Sequence, residues 1–300
     1  MSFRKYCTDA CPAMWGRPLH DLLAVCRMVK IEHSVFALPF AYTGAFLAAG
    51  GWPGWKPFLL LTVAMVAIRS FAMGFNRLAD LSFDRVNPRT KQRPLVTGEL
   101  SRSFTALFLI ACVAIFVGAC YLLNPLCLKL SPVAVVLSAY YSLTKRYSWR
   151  CHYWLGSVLG LSPLAGWISV SPAITLPAVI FSLGVLFWVA GFDIMYSCQD
   201  VEFDRRLELH STPVHFGLPT ALTLSTFCHV VAALLFLLGG WAAGLGWIYA
   251  GFAAFVGIVL LLEHQVISPD DLTDINTAFF TMNGAVSVLL FVGVLADLFF

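Results

Sequence analysis

The chain has 300 residues, of which 59% are hydrophobic and only 12% charged, with a formal net charge of +3 and a mean hydropathy of +0.81. Soluble globular chains carry about 25% charged residues, so this composition excludes a water-soluble domain, and the small positive balance excludes a dedicated nucleic-acid binder. The apolar residues come in long runs such as 106–123 and 222–238, and about 20 residues of helix cross a hydrocarbon core of roughly 30 Å. In lipid the backbone must satisfy its own polar groups, so an all-α, polytopic membrane protein is predicted.

The elements follow in chain order. Residues 1–30 form a polar, mixed segment (Arg4, Lys5, Asp9, Arg17, Asp21, Arg27, Lys30) and no cleavable signal peptide is expected in it. Cys7 and Cys11 make a lone C-x-x-x-C, too few ligands for a zinc site, and most of the other cysteines sit in apolar runs as small hydrophobes. The stretch 21–32 alternates apolar and charged residues at near-helical spacing, which fits an interfacial helix or the polar start of the first span. Nine spans are predicted, at 33–50, 57–75, 104–123, 126–143, 153–170, 173–195, 219–239, 242–262 and 276–298. Asn124, Pro125 and Pro132 crowd the start of the fourth. Trp52, Trp55, Trp149 and Trp154 near the breaks suit interfacial belts.

The basic residues orient the chain. They cluster at the N-terminus, in loop 76–103 (Arg77, Arg85, Arg89, Lys91, Arg93, Arg102), in loop 144–152 (Lys145, Arg146, Arg150) and in loop 196–218 (Arg205, Arg206). With nine spans these segments share one face, leaving Lys56 and Lys129 opposite and Arg69 within a span. The expectation is a cytoplasmic N-terminus and cytoplasmic basic loops.

The two longest loops on that face resemble each other. One runs Asn76-Arg77-x-x-Asp80-x-x-x-Asp84, then Arg89-Thr90-x-x-Arg93-Pro94. The other runs Asp193-x-x-Tyr196-x-x-x-Asp200-x-x-x-Asp204. A spacing of four places each aspartate pair on one helical face, where like charges destabilise the helix. Two such clusters four spans apart suggest a duplicated four-helix unit with a ninth helix added. Oxygen-only acidic sets suit Mg²⁺, which is usually held by one or two carboxylates plus substrate phosphates, and the adjacent Arg and Lys suit phosphate oxygens. Together they point to a lipid diphosphate. The competing reading is that the acids solvate loop ends and pair with local arginines. An ion-coupled transporter is a second competitor, although transporter sites sit near the midplane rather than at helix ends.

These motifs, with Tyr141-Ser142-Leu143-Thr144-Lys145-Arg146-Tyr147 between them, resemble those of the UbiA superfamily of intramembrane aromatic prenyltransferases. Arg77 stands where that family commonly has Asp. The segment 30–40 and Gln199-Asp200-x-Glu202-Phe203-Asp204 are most similar to bacterial 4-hydroxybenzoate polyprenyltransferases and to enzymes of the alternative menaquinone route. The resemblance implies one transmembrane prenyltransferase domain over 1–300, with its helices around a central cavity, in a bacterial inner membrane. It implies Mg²⁺ held by Asn76, Asp80, Asp84, Asp200 and Asp204, with polyprenyl diphosphate and a small aromatic acid as substrates, and the four aspartates as catalytic residues. Arg93 and Lys145 are expected on the diphosphate, Arg146 on the acceptor carboxylate, and Arg69 facing the cavity. Tyr196 is expected to orient diphosphate, and Asp193 to support Tyr196 or an arginine. Glu32 and His33 are expected to be interface residues at the entrance of the first helix.

Overall fold

The computed structural model describes residues 18–30, 37–267, 272, 275 and 282–300. Cys7, Cys11, Glu32 and His33 lie outside them. All regular structure among the described residues is helical, in the order α1 (Pro18–Val29), α2 (Leu38–Ala49), α3 (Trp55–Ala79), α4 (Leu81–Asp84), α5 (Pro94–Thr97), α6 (Arg102–Leu123), α7 (Pro125–Thr144), α8 (Cys151–Val170), α9 (Leu176–Ser197), α10 (Val201–Arg206), α11 (Thr212–Phe216), α12 (Leu218–Ala242), α13 (Trp247–Val266) and α14 (Asn283–Phe299).

Each of the nine predicted spans falls on one of these helices. Seven of them, α3, α6, α7, α8, α9, α12 and α13, are long and apolar enough to cross a membrane. The other two, α2 and α14, are apolar but have 12 and 17 residues, short of the roughly 20 that a crossing takes.

Local chemistry sets several boundaries. Asn124, which crowds the fourth span in sequence, is the N-cap of α7. Its side chain accepts from the Leu126 and Cys127 backbone N–H groups at 3.0 Å each, and Pro125 occupies the first helical position, where its missing N–H costs nothing. The helix then runs on through Pro132. Ser101 caps α6 in the same way through the Phe104 N–H. The stretch read as an interfacial helix or the polar start of the first span falls largely on α1, a helix distinct from α2. Helix α1 buries Ala24, Met28 and Val29 against Leu81, Leu95 and Leu100 while Leu22 and Leu23 stay exposed.

Close approach of backbones, more than bulk, organises the centre. Helix α8 lies between α2 and α9. A methyl added at Gly166 would land on the Ala41 carbonyl of α2, and one at Gly44 on the Pro163 carbonyl of α8. On the α9 side, a methyl at Gly160 would sit 2.7 Å from the Ser182 carbonyl oxygen, and one at Gly156 would collide with that of Leu186. Such small-residue seams let helices pack where lipid supplies no hydrophobic drive. Behind α9 lies an aromatic core containing Phe40, Phe181, Trp188, Phe236 and Tyr249. It is pinned by a buried polar clasp. The Trp188 indole donates to Asn283 Oδ1 at 2.7 Å, the Asn283 amide donates to Glu263 Oε1 at 2.5 Å, and His229 Nδ1 lies 3.5 Å from Glu263 Oε2.

Candidate active site

The two acidic motifs end α3 and α9 in the same way. Helix α3 stops at Ala79, Asp80 takes φ −91°, ψ 9°, and the short helix α4 then carries Asp84. Helix α9 passes through a 3₁₀ turn at Cys198–Asp200, Asp200 takes φ −102°, ψ 5°, and the short α10 carries Asp204. The continuous helical faces expected from the spacing are therefore broken at the first aspartate of each pair. Both break points lie in the sparsely populated bridge region between helix and strand, where many active-site residues are found.

These ends close on one another. A cavity of about 390 Å³ between the helices is lined by Arg69, Asn76, Asp80, Arg89, Arg93, Tyr141, Lys145, His152, Asp193, Tyr196 and Asp200 above apolar side chains such as Met65, Phe116, Leu159 and Phe192. A smaller cleft of about 130 Å³ shares Asn76, Asp80, Arg89, Arg93, Lys145 and Asp200 with it and adds Asp84, Arg146 and Asp204. All eleven residues singled out in the sequence line one space or the other. Arg146 lines only the outer cleft, whereas Arg69 lines the intramembrane cavity.

Within this mouth each aspartate has its own base. Asp84 accepts two bonds from Arg93 Nη1, at 2.6 and 2.7 Å. Asp204, whose side chain is 1% exposed, lies 2.8 Å from Lys145 Nζ. Asp200 receives Arg89 at 2.5 and 3.2 Å, and Asp80 lies 3.6 Å from Arg146. The pairing crosses from wall to wall, since Arg89 reaches from the first motif's loop to Asp200 and also donates to the Tyr196 hydroxyl at 3.1 Å. Asn76 donates to Asp80 Oδ2 at 2.9 Å and accepts from the buried Arg77 at 3.0 Å, so Arg77 positions this amide.

The charges respond to this setting. Burial, followed by repulsion from Asp84, raises the pKa of Asp80 above the ordinary carboxylate range. Burial alone would lower the pKa values of Lys145 and Arg89, but Asp204 and Asp200 respectively more than offset it, and both bases are held more firmly charged.

The structure gives Asp193 a partner that was not expected. Its Oδ2 pairs with Nδ1 of His152 at 2.7 Å, while Tyr196 accepts from Arg89. His152 and the bridging role of Arg89 were missed. The signal for His152 was present, as a titratable ring in the first turn of an otherwise apolar span. Nothing in the sequence, however, links position 152 to position 193.

No three His, Cys, Asp or Glu side chains among the described residues converge tightly enough to hold a metal by themselves. Of the five residues expected to hold Mg²⁺ together with a diphosphate, the four aspartates stand in ion pairs and Asn76 is hydrogen-bonded to Asp80.

The pattern of the UbiA prenyltransferase family matches residues 37–285. A 4-hydroxybenzoate octaprenyltransferase of Shewanella pealeana is 31% identical over 252 residues, covering 83% of this chain and 86% of its own, and that of Shewanella oneidensis is 31% identical over 256 residues, covering 85% and 88%. Among solved structures, the apo UbiA homologue from Aeropyrum pernix K1 superposes with a TM-score of 0.80 at 35% identity, over 89% of this chain and 98% of that one. The UbiA homologue from Archaeoglobus fulgidus bound to DMAPP and Mg²⁺ gives 0.73 at 20% identity, over 92% and 99%. With its motifs in order, its helices superposable and its acidic mouth opening into an apolar intramembrane cavity, this chain belongs to the UbiA prenyltransferase family and is a multi-span membrane transferase.

Proposed function

We propose that the protein transfers a polyprenyl group from its diphosphate to an aromatic acid, with 4-hydroxybenzoate the acceptor and the carbon ortho to its hydroxyl the point of attachment. The observation that carries this reading is the pair of facing aspartate motifs, each threaded with bases, at the mouth of an apolar cavity. The named activity of the Shewanella relatives supports the acceptor.

The donor set fits Mg²⁺. It offers oxygens only, from Asn76, Asp80, Asp84, Asp200 and Asp204, and it is split between two walls so that a diphosphate completes the coordination. When bound, Mg²⁺ neutralises the negative charge that develops on the departing diphosphate. Arg89, Arg93 and Lys145 exchange their carboxylate partners for phosphate oxygens and hold the leaving group with preorganised positive charge. The apolar lower wall excludes water from the allylic cation, which water would otherwise capture. Arg69, which lines the intramembrane cavity, would receive the acceptor carboxylate in preference to Arg146, which lines only the outer cleft.

The test is a membrane assay with labelled polyprenyl diphosphate and a panel of aromatic acids. Labelled product with 4-hydroxybenzoate that vanishes in EDTA and in Asp80→Ala and Asp200→Ala is expected. Product that survives either treatment sinks the mechanism, and product only with another acid replaces the acceptor. The whole chain acts as one domain in the cytoplasmic membrane with its motif loops in the cytoplasm. Nine crossings then put the C-terminus outside, and a periplasm-dependent phosphatase reporter fused there should be active. An inactive reporter there would remove the nine-crossing topology.

A further inference from the structure

One polar pair lining the cavity, His152 and Asp193, is not used in the diphosphate chemistry. His152, in the first turn of α8, is 2% exposed, and both of its ring nitrogens are engaged. Nε2 faces the Thr212 backbone N–H at 3.2 Å, and because an N–H can only donate, Nε2 carries the lone pair. The proton of the neutral ring is therefore on Nδ1, where it is donated to Asp193 Oδ2 at 2.7 Å. Thr212 is itself anchored, its hydroxyl donating to the Trp149 carbonyl at 3.1 Å. The ring is thus held from the loop after the second acidic motif and in turn fixes the carboxylate. Asp193 lines the cavity with its side chain 26% exposed, and its Oδ1 makes no hydrogen bond among the described residues.

Depth supplies the second half of the argument. Asp193 precedes the break at Asp200 by seven residues, about 10 Å of helical rise, and Arg69 precedes the equivalent break at Asp80 by eleven, about 16 Å, on the opposite helix. A hydrogen-bond acceptor and a guanidinium therefore line the cavity below the acid–base mouth, the guanidinium about 6 Å the deeper. A ring bearing a carboxylate at one end and a hydroxyl at the other has this complementary polarity.

We propose that Asp193 is the catalytic residue that accepts the acceptor's hydroxyl proton, and that His152 is the positioning residue that holds its carboxylate ready. This rests on the aromatic-acid reading of the same site. In the step, the hydroxyl O–H bond breaks and the proton passes to Asp193 Oδ1. The electron pair on oxygen becomes the second bond of a ring carbonyl, and the ortho carbon forms its bond to the allylic carbon as the allylic C–O bond to diphosphate breaks. The hydrogen on that ring carbon then leaves as a proton to solvent, the ring regains aromaticity, and the oxygen takes its proton back from Asp193. The net change is one C–C bond made, one C–O bond broken and one proton released.

The test compares the full-length enzyme with Asp193→Asn, His152→Ala and His152→Gln, using polyprenyl diphosphate, Mg²⁺ and a series of acceptors. The series is 4-hydroxybenzoate with its 3-fluoro and 3-chloro derivatives, whose hydroxyls are more acidic and which keep one ortho carbon free. Asp193→Asn should lower kcat/KM for 4-hydroxybenzoate by roughly 100-fold, the order general-base catalysis contributes, with the KM for polyprenyl diphosphate unchanged. The deficit relative to wild type should narrow as the acceptor becomes more acidic, because an ionised phenol needs no base. His152→Ala should show a smaller loss with the same dependence on acidity, and His152→Gln, which can both donate and accept, should restore most of it. A deficit that is equal for all acceptors, or one carried by the KM for polyprenyl diphosphate, would overturn the assignment. If Asp193→Asn does not fold, the two His152 variants decide by the same criterion. A wild-type enzyme that prenylates no aromatic acid would defeat the broader reading instead, which is a separate result.

Discussion

Asp80 is the residue at which function and stability oppose each other most directly. Burial and the nearby charge of Asp84 raise its folded pKa, so the folded state binds its proton more tightly than the unfolded chain does. At neutral pH its negative charge therefore works against folding. Asp80→Asn keeps an oxygen to accept from Asn76 and removes that charge. The variant should melt at a higher temperature than wild type at pH 7, and the gain should shrink as pH falls through the folded pKa toward the ordinary aspartate range, where wild-type Asp80 is itself neutral. Activity should fall by about 100-fold or more, as for loss of an electrostatic contact in a transition state. A thermal midpoint unchanged at pH 7 would refute the account of the charge. The identity of such residues was legible in sequence because acid and base types at fixed spacing have few structural uses near a membrane. Their partners were not. That Arg89 would cross to Asp200, or Asp193 to His152, depends on which helices face each other, and spacing along one helix carries no such information.

At the scale of elements, hydrophobic run length located the helices well, since lipid allows few alternatives to a helix. It failed where geometry turns on single backbone torsions. The breaks at Asp80 and Asp200 interrupt what reads as a continuous helical face, and no Gly or Pro marks them. Packing between helices is written in glycine instead. Gly156 and Gly160 face α9, and Gly166 faces α2. Gly160→Leu should destabilise the protein in detergent by about 1–3 kcal/mol, the usual cost of overpacking, because its Cβ would stand 2.7 Å from a backbone oxygen that cannot swing away. Gly118→Leu on α6, where an added Cβ meets nothing within 4 Å, is the matched control and should be nearly neutral. Equal effects at the two positions, read from thermal unfolding, would remove α8 from its organising role.

At the scale of the whole molecule, two walls that are distant in sequence meet at a mouth that holds four acid–base pairs, of which Arg89–Asp200 joins the two motifs, so the mouth is internally neutralised. A divalent cation arriving alone meets carboxylates already engaged by bases, and a diphosphate arriving alone meets bases already engaged by acids. Arriving together, each frees the partners of the other. Mg²⁺ and inorganic diphosphate should therefore bind with positive coupling, each tightening the other by about tenfold or more, which is within the usual range for linked sites. Thermal shifts with Mg²⁺, with diphosphate and with both should be more than additive. Additive shifts would mean that the pairs do not exchange.

The buried clasp behind α9 bears on how the protein is made. Asn283 opens the last helix, yet its amide serves Trp188 and Glu263, which were synthesised long before it. Until that helix arrives, a carboxyl group and an indole N–H face a hydrocarbon environment without the amide meant for them. The nascent chain thus carries an internal sign of whether α14 has been added, and a ribosome stalled before residue 283 would release a bundle that membrane proteases can tell from one that has it.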